Sequence, residues 1–94
     1  MKIDGIIWVK EIEDKIWVKH HVQKDEVEQA LASTPKFRFL EKGEREGEDI
    51  YMALGRSDAG RYLSIFFIYK TTRKALIISA RDMMDRERKR YEKK

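Results

Sequence analysis

Residues 50–80 read IYMALGRSDAGRYLSIFFIYKTTRKALIISA, and this stretch decides the fold. Three runs rich in β-branched and aromatic residues, 50–56, 61–70 and 75–80, are strands by composition. SDAG at 57–60 and TTRK at 71–74 separate them with the polar, small residues of short turns, so the three strands form an antiparallel meander. Because strand direction alternates, the end of the first, the start of the second and the end of the third meet at one end of the sheet. Those places hold Arg56, Arg61 and Arg81. Neighbouring strands lie about 5 Å apart, so the outer two of these positions are roughly 10 Å apart, within reach of one polyanion. Turns of this length put Arg56 and Arg61 on one face with Leu54, Leu63 and Phe67, and Arg81 on the other with Tyr62 and Ser64.

Upstream, KFRFL at 36–40 alternates Phe37 and Phe39 against Lys36 and Arg38, as a half-exposed strand does. EKGEREGED at 41–49 holds five acids, two bases and two glycines and reads as a solvated loop. Val27, Ala30 and Leu31 carry helical spacing in a segment that Pro35 ends. Ile12, Ile16 and His20, with Trp17 beside them, give an earlier short helix its inward stripe. IDGIIWV at 3–9 suits a short strand with a bulge or bend at Gly5. IWVK occurs at both 7–10 and 16–19, a spacing that matches no repeat architecture. Downstream, residues 81–94 favour helix, with Asp82 as N-cap, Asp85 early in the helix, and Met84, Arg88 and Tyr91 on one narrow docking stripe. The expected fold is α+β: an antiparallel meander sheet with two short N-terminal helices and a C-terminal helix, all in one domain spanning 1–94.

Charge is abundant and nearly balanced: 21 Lys and Arg face 17 Asp and Glu, a net charge of +4, so the placement of the arginines matters more than their number. With no cysteine, the chain has no disulfide, thiolate nucleophile or thiolate metal site, which fits a reducing cytoplasm. Asp4, Lys10 and Glu11 interrupt the first apolar run, leaving no secretory signal core, and no apolar run is long enough for a membrane span.

The candidate chemistry is sparse. His20 and His21 are the only side chains of a type that titrates near neutrality, so general acid–base work falls to them first. On a helix they diverge by about 100°, which disfavours joint metal ligation, and no metal or cofactor is expected. Glu87 is either a neutraliser of neighbouring arginines or a carboxylate base. Ser57 and Ser64 lack triad partners, and GRSDAG lacks the Lys-Ser/Thr ending of a phosphate loop. The segment RDMMDRERKRYEKK carries seven bases and four acids. Its plainer reading is a solvated amphipathic helix; its functional reading makes Arg81, Arg86, Arg88 and Arg90 phosphate contacts, with Tyr91 stacking or hydrogen-bonding.

KHHV at 19–22 followed by EVEQAL, ALGRSDAGRYL at 53–63 and ISARDMMDRERKRYEKK from 78 onward resemble the BrnT family of bacterial toxins. The resemblance implies a RelE-like fold and an endoribonuclease that cleaves RNA without a metal. Its implied partner is a BrnA-like antitoxin with a ribbon-helix-helix part, which would neutralise the toxin as a hetero-oligomer in the cytoplasm. Lys19 and His20 match the family's Lys-His pair, Arg56 its Gly-Arg and Arg81 its Ser-Ala-Arg, while Glu87, Arg88 and Tyr91 fall on its C-terminal motif. His21 stands where many members have glycine. The implied catalytic set is His20, Arg56, Arg81, Glu87 and Tyr91, with Lys19, Arg61, Arg86, Arg88 and Arg90 on RNA. The alternative is a non-catalytic RNA- or protein-binding relative of such toxins.

Overall fold

A computed structural model describes residues 1–93. Its elements run β1 (Gly5–Ile7), α1 (Lys10–His20), α2 (Lys24–Ala32), β2 (Lys36–Glu41), β3 (Asp49–Arg56), β4 (Tyr62–Tyr69), β5 (Lys74–Asp82) and α3 (Asp85–Glu92). The expected meander is β3-β4-β5, and β2 adds antiparallel to β3, giving the order β1-β5-β4-β3-β2. The sheet is not purely antiparallel, because β1 lies parallel to β5 through Gly5↔Lys74, Ile6↔Ala75 and Ile7↔Leu76. A three-residue strand carries too little pattern to announce its partner. The helices therefore follow a strand rather than opening the chain. They carry it across one face of the sheet, from the β1 edge to the β2 edge, with α1 against β5 and α2 against β3 and β4.

Apolar residues from both layers close the core. Ile16, Val22, Val27 and Ala30 from the helical layer meet Ala53, Leu63, Ile65, Phe67, Ala75, Ile77 and Ala80 from the strands, all at most 3% exposed. Each fully buried Leu, Ile or Phe contributes about 1.5–3 kcal/mol from area removed from water. A bulge pairs Phe66 with Ser79 and Phe67 with Ile77, so Ile77 and Ala80 both face the helices although they stand an odd three positions apart in sequence. Gly55 is required by close packing: a Cβ there would come within 2.5 Å of the Ala30 carbonyl oxygen, so the glycine lets α2 approach β3.

Two expectations about local structure fail for identifiable reasons. The β3–β4 connection is one residue longer than SDAG, because Arg56 pairs with Tyr62 rather than Arg61. Ser57 draws Arg61 into the turn by accepting its backbone N–H at Oγ (3.0 Å) and donating its own N–H to the Arg61 carbonyl (2.9 Å). That extra residue reverses parity, so Arg56 and Leu54 join Tyr62, Ser64 and Arg81 on the face away from α1 and α2. At the other boundary, β5 continues through Arg81 to Asp82 and α3 starts only at Asp85, so Asp82 is a strand residue and Met84 is the N-cap. The Glu87 carboxylate, three residues on, accepts the Met84 N–H at 2.8 Å and so satisfies the backbone donor of the N-cap. Lys94 lies outside the described residues.

Candidate functional site

The three arginines predicted at one end of the sheet are there, but the sheet divides them. Arg61 points to the helical face and spends its whole guanidinium. Nε and Nη2 donate to the two Asp82 oxygens (2.7 and 3.2 Å), Nη1 to the His21 carbonyl (2.8 Å) and Glu26 (3.2 Å), and Nη2 to the His20 carbonyl (3.1 Å). The Asp82 bond raises the Arg61 pKa, and the same pairing lowers that of Asp82. The two carbonyls belong to the end of α1, where His21 adopts the left-handed conformation (φ 54°, ψ 37°) and closes the helix through its N–H to Trp17 O (2.8 Å). Arg61 is therefore a side-chain cap that fixes the α1–α2 corner to β4 and β5. Position 21 has a positive φ, a conformation that glycine adopts without strain.

On the opposite face, Arg81 makes a two-pronged ion pair with Glu87 (2.7 and 2.9 Å). Ser64 Oγ also donates to Glu87 (2.8 Å), so with Met84 N–H the carboxylate receives four hydrogen bonds. Glu87 is 8% exposed, and its carboxyl is held down at about 2, chiefly by the Arg81 guanidinium and further by the Met84 and Ser64 bonds, against the cost of burial. A carboxylate so saturated is a poor proton acceptor near neutrality. Its evident work is structural: it joins α3 to β4 and β5. The docking stripe is thus Glu87, Arg88 and Tyr91, while Met84 is 46% exposed.

Beside that ion pair the guanidinium groups remain available. Arg56 lies over the Tyr62 ring at 4.7 Å and Arg88 at 4.0 Å, and Tyr91 meets Tyr62 edge-on at 5.9 Å. Arg56 spends Nε on the Gly60 carbonyl (3.2 Å), and among the described residues its two terminal nitrogens have no partner. Among the described residues, the only ion pair of Arg88 is a solvent-exposed one with Glu92 at 3.5 Å. A cleft of about 500 Å³ opens between Tyr91 and the β3–β4 turn, lined by Ser33, Arg56, Ser57, Asp58, Ala59 and Gly60. Aromatic rings thus orient two cations whose hydrogen bonds are mostly unspent, a geometry suited to holding and polarising a phosphate.

The remaining predicted residues divide between the faces. Exposed Lys19 and half-buried His20 sit on the helical side, lining a shallow cavity with Ile78 and Ser79 of β5. Beyond Leu76 this edge of β5 has no strand neighbour among the described residues. Arg86 and Arg90 line a second groove, of about 510 Å³, together with Arg38, Leu40, Met52 and Phe66. Sequence reasoning missed this groove. Its only sequence signal was the alternation of KFRFL, which puts Arg38 and Leu40 on the face opposite Phe37. Among the described residues, no three His, Asp or Glu side chains stand together as a metal-holding group, and no helix is long and apolar enough to cross a membrane.

Comparison with known proteins agrees with this architecture. The crystal structure of the Brucella abortus ribonuclease toxin BrnT superposes with a TM-score of 0.62 at 19% identity, covering 86% of this chain and 97% of that one, which establishes the shared fold. No curated protein sequence matches the chain. The sequence model of the family described as "Ribonuclease toxin, BrnT, of type II toxin-antitoxin system" matches residues 8–87. Those residues include β3 through β5, the whole Arg81–Glu87 clamp and the Arg61 cap, and the chain belongs to the BrnT family of ribonuclease toxins.

Proposed function

We propose that this protein is a metal-independent endoribonuclease toxin, acting on RNA in the cytoplasm and neutralised by a BrnA-like antitoxin with a ribbon-helix-helix part. The observation that carries the reading is the pair of ring-supported cations, Arg56 and Arg88, beside Tyr91, with donors left free for a phosphate. RNA cleavage without a metal needs a base for the 2′-hydroxyl, cations for the charge gathering on the phosphorane, and an acid for the departing oxygen. Arg56 and Arg88 serve the phosphorane charge. Tyr91 protonates the leaving oxygen. His20 is assigned the 2′-hydroxyl proton as the candidate base of the chain. Arg81 and Glu87 act as positioning residues, since each satisfies the other and together they hold α3, with Arg88 and Tyr91, against the sheet.

The test is cleavage of a transcript in EDTA by the wild-type protein and by the Arg56→Ala and His20→Ala variants. Wild type cleaves, and each variant loses about 100-fold or more, the scale of removing one pre-organised charge-stabilising group. An inactive wild type freed of its antitoxin, or full activity in both variants, overturns the reading.

A further inference from the structure

The groove on the far side of α3 from the Arg56 cleft has an unusual lining. Its floor is a row across three strands, Phe66 on β4, Met52 on β3 and Arg38 on β2, which are successive register partners, with Leu40 beside them. Its wall is α3, which presents Arg86 and Arg90 one turn apart. Among the described residues, the side chains of Arg38, Arg86 and Arg90 have neither an ion-pair nor a hydrogen-bond partner. Like charges one turn apart on a helix are mutually repulsive, and a third cation across the groove adds to this. The one carboxylate in the lining, Glu87, is already neutralised by Arg81. Three unpaired cations over an apolar and aromatic floor are complementary to a ligand that is anionic along one edge and flat and apolar in its body.

We propose that this groove is a nucleotide-binding subsite for single-stranded RNA, taking an unpaired base onto Phe66, Met52 and Leu40 and its flanking phosphates onto Arg38, Arg86 and Arg90. The inference rests on the ribonuclease reading for its substrate and extends it from the scissile phosphate to a neighbouring nucleotide. Phe66 connects the two regions: its ring lies against the groove and also beneath the Arg81 guanidinium, at 5.1 Å. A base seated there places the strand beside the Arg81–Glu87 clamp, on the same face as Arg56 and Tyr62. A base gains stacking from any flat apolar floor, so the subsite grips unpaired RNA with little sequence preference.

Binding is measured with a 2′-O-methyl oligoribonucleotide, which cannot be cleaved, so the result is independent of catalysis. Arg38→Gln and Arg90→Gln each weaken binding about tenfold and reduce the salt slope by about 0.7, the value for one phosphate contact on a single strand. Arg73→Asn removes the same charge from the exposed β4–β5 turn at a positive-φ position that asparagine accepts, and it leaves affinity within about twofold. Phe66→Leu weakens the normal oligonucleotide about tenfold but leaves binding of an abasic one of equal length unchanged. Equal losses for Arg38→Gln and Arg73→Asn, or for Phe66→Leu on both oligonucleotides, overturn the subsite. So does a result in which Arg38→Gln and Arg90→Gln abolish antitoxin binding and spare RNA. A wild-type protein that binds RNA through these residues without cleaving it would sink the ribonuclease reading and leave the subsite standing.

Discussion

Arg56 and Arg61 flank the same turn and look interchangeable in sequence, yet the sheet sends them to opposite faces and to opposite use of their hydrogen-bond donors. Arg61, 27% exposed in its side chain, meets two carboxylates and two helix-terminal carbonyls and has nothing left for a ligand. Arg56 is exposed, positioned by the Tyr62 ring and one bond to Gly60, and keeps its terminal nitrogens open. On the proposed reading, what separates a structural arginine from a functional one here is whether its donors are already spent. Arg81 repeats the lesson on the open face: its pairing with Glu87 makes it a clamp rather than a hand held out to substrate.

The comparison breaks first at the clamp. Glu87→Gln leaves the part-buried Arg81 guanidinium without its counter-ion, and the expected loss is about 3–5 kcal/mol by denaturant unfolding, with RNA cleavage lost as α3 leaves the sheet. Titration tests the same pair. The Arg81 guanidinium holds the Glu87 carboxyl down at about 2 in the folded chain, below its ordinary 4.5, so its contribution is complete above the unfolded value and disappears as pH falls through the folded one. Stability therefore drops by up to about 3 kcal/mol across that window, and a Glu87→Gln chain lacks this part of the acid dependence.

Arg61→Ala comes next. It strips the cap from α1, leaves Asp82 and the His20 and His21 carbonyls without their partner and leaves Glu26 with only its Gln23 N–H bond, for an expected cost of about 2–3 kcal/mol in thermal or denaturant unfolding. His21→Gly sharpens the same corner in the other direction: relieving the left-handed strain stabilises the protein by no more than about 1 kcal/mol, readable as a small rise in Tm.

Much of this was legible before any coordinates. Strand composition and turn residues gave the β3-β4-β5 meander and hence the common end of Arg56, Arg61 and Arg81, and apolar spacing with Pro35 gave α1 and α2. Faces were harder to read, because a single residue added to the Ser57–Arg61 turn inverts everything before it. The short strand expected at 3–9 is present as β1, but its parallel pairing with β5 escaped, because three residues carry too little pattern to announce a partner. The role of Glu87 escaped for another reason: its partners Arg81, Ser64 and Met84 come together only when β5 runs past Arg81 and α3 folds back, and no local pattern encodes that return. Arg38 was hidden similarly, since its groove exists only once α3 lies across β2 to β4.

The central claim is that, at this end of the sheet, free donors mark function and spent donors mark structure. The most direct measurement pairs denaturant unfolding with transcript cleavage in EDTA for Arg56→Ala. Unfolding free energy within about 1 kcal/mol of wild type, together with a cleavage rate about 100-fold lower, is the predicted result. A chain that loses several kcal/mol of stability while still cleaving RNA at the wild-type rate would contradict it.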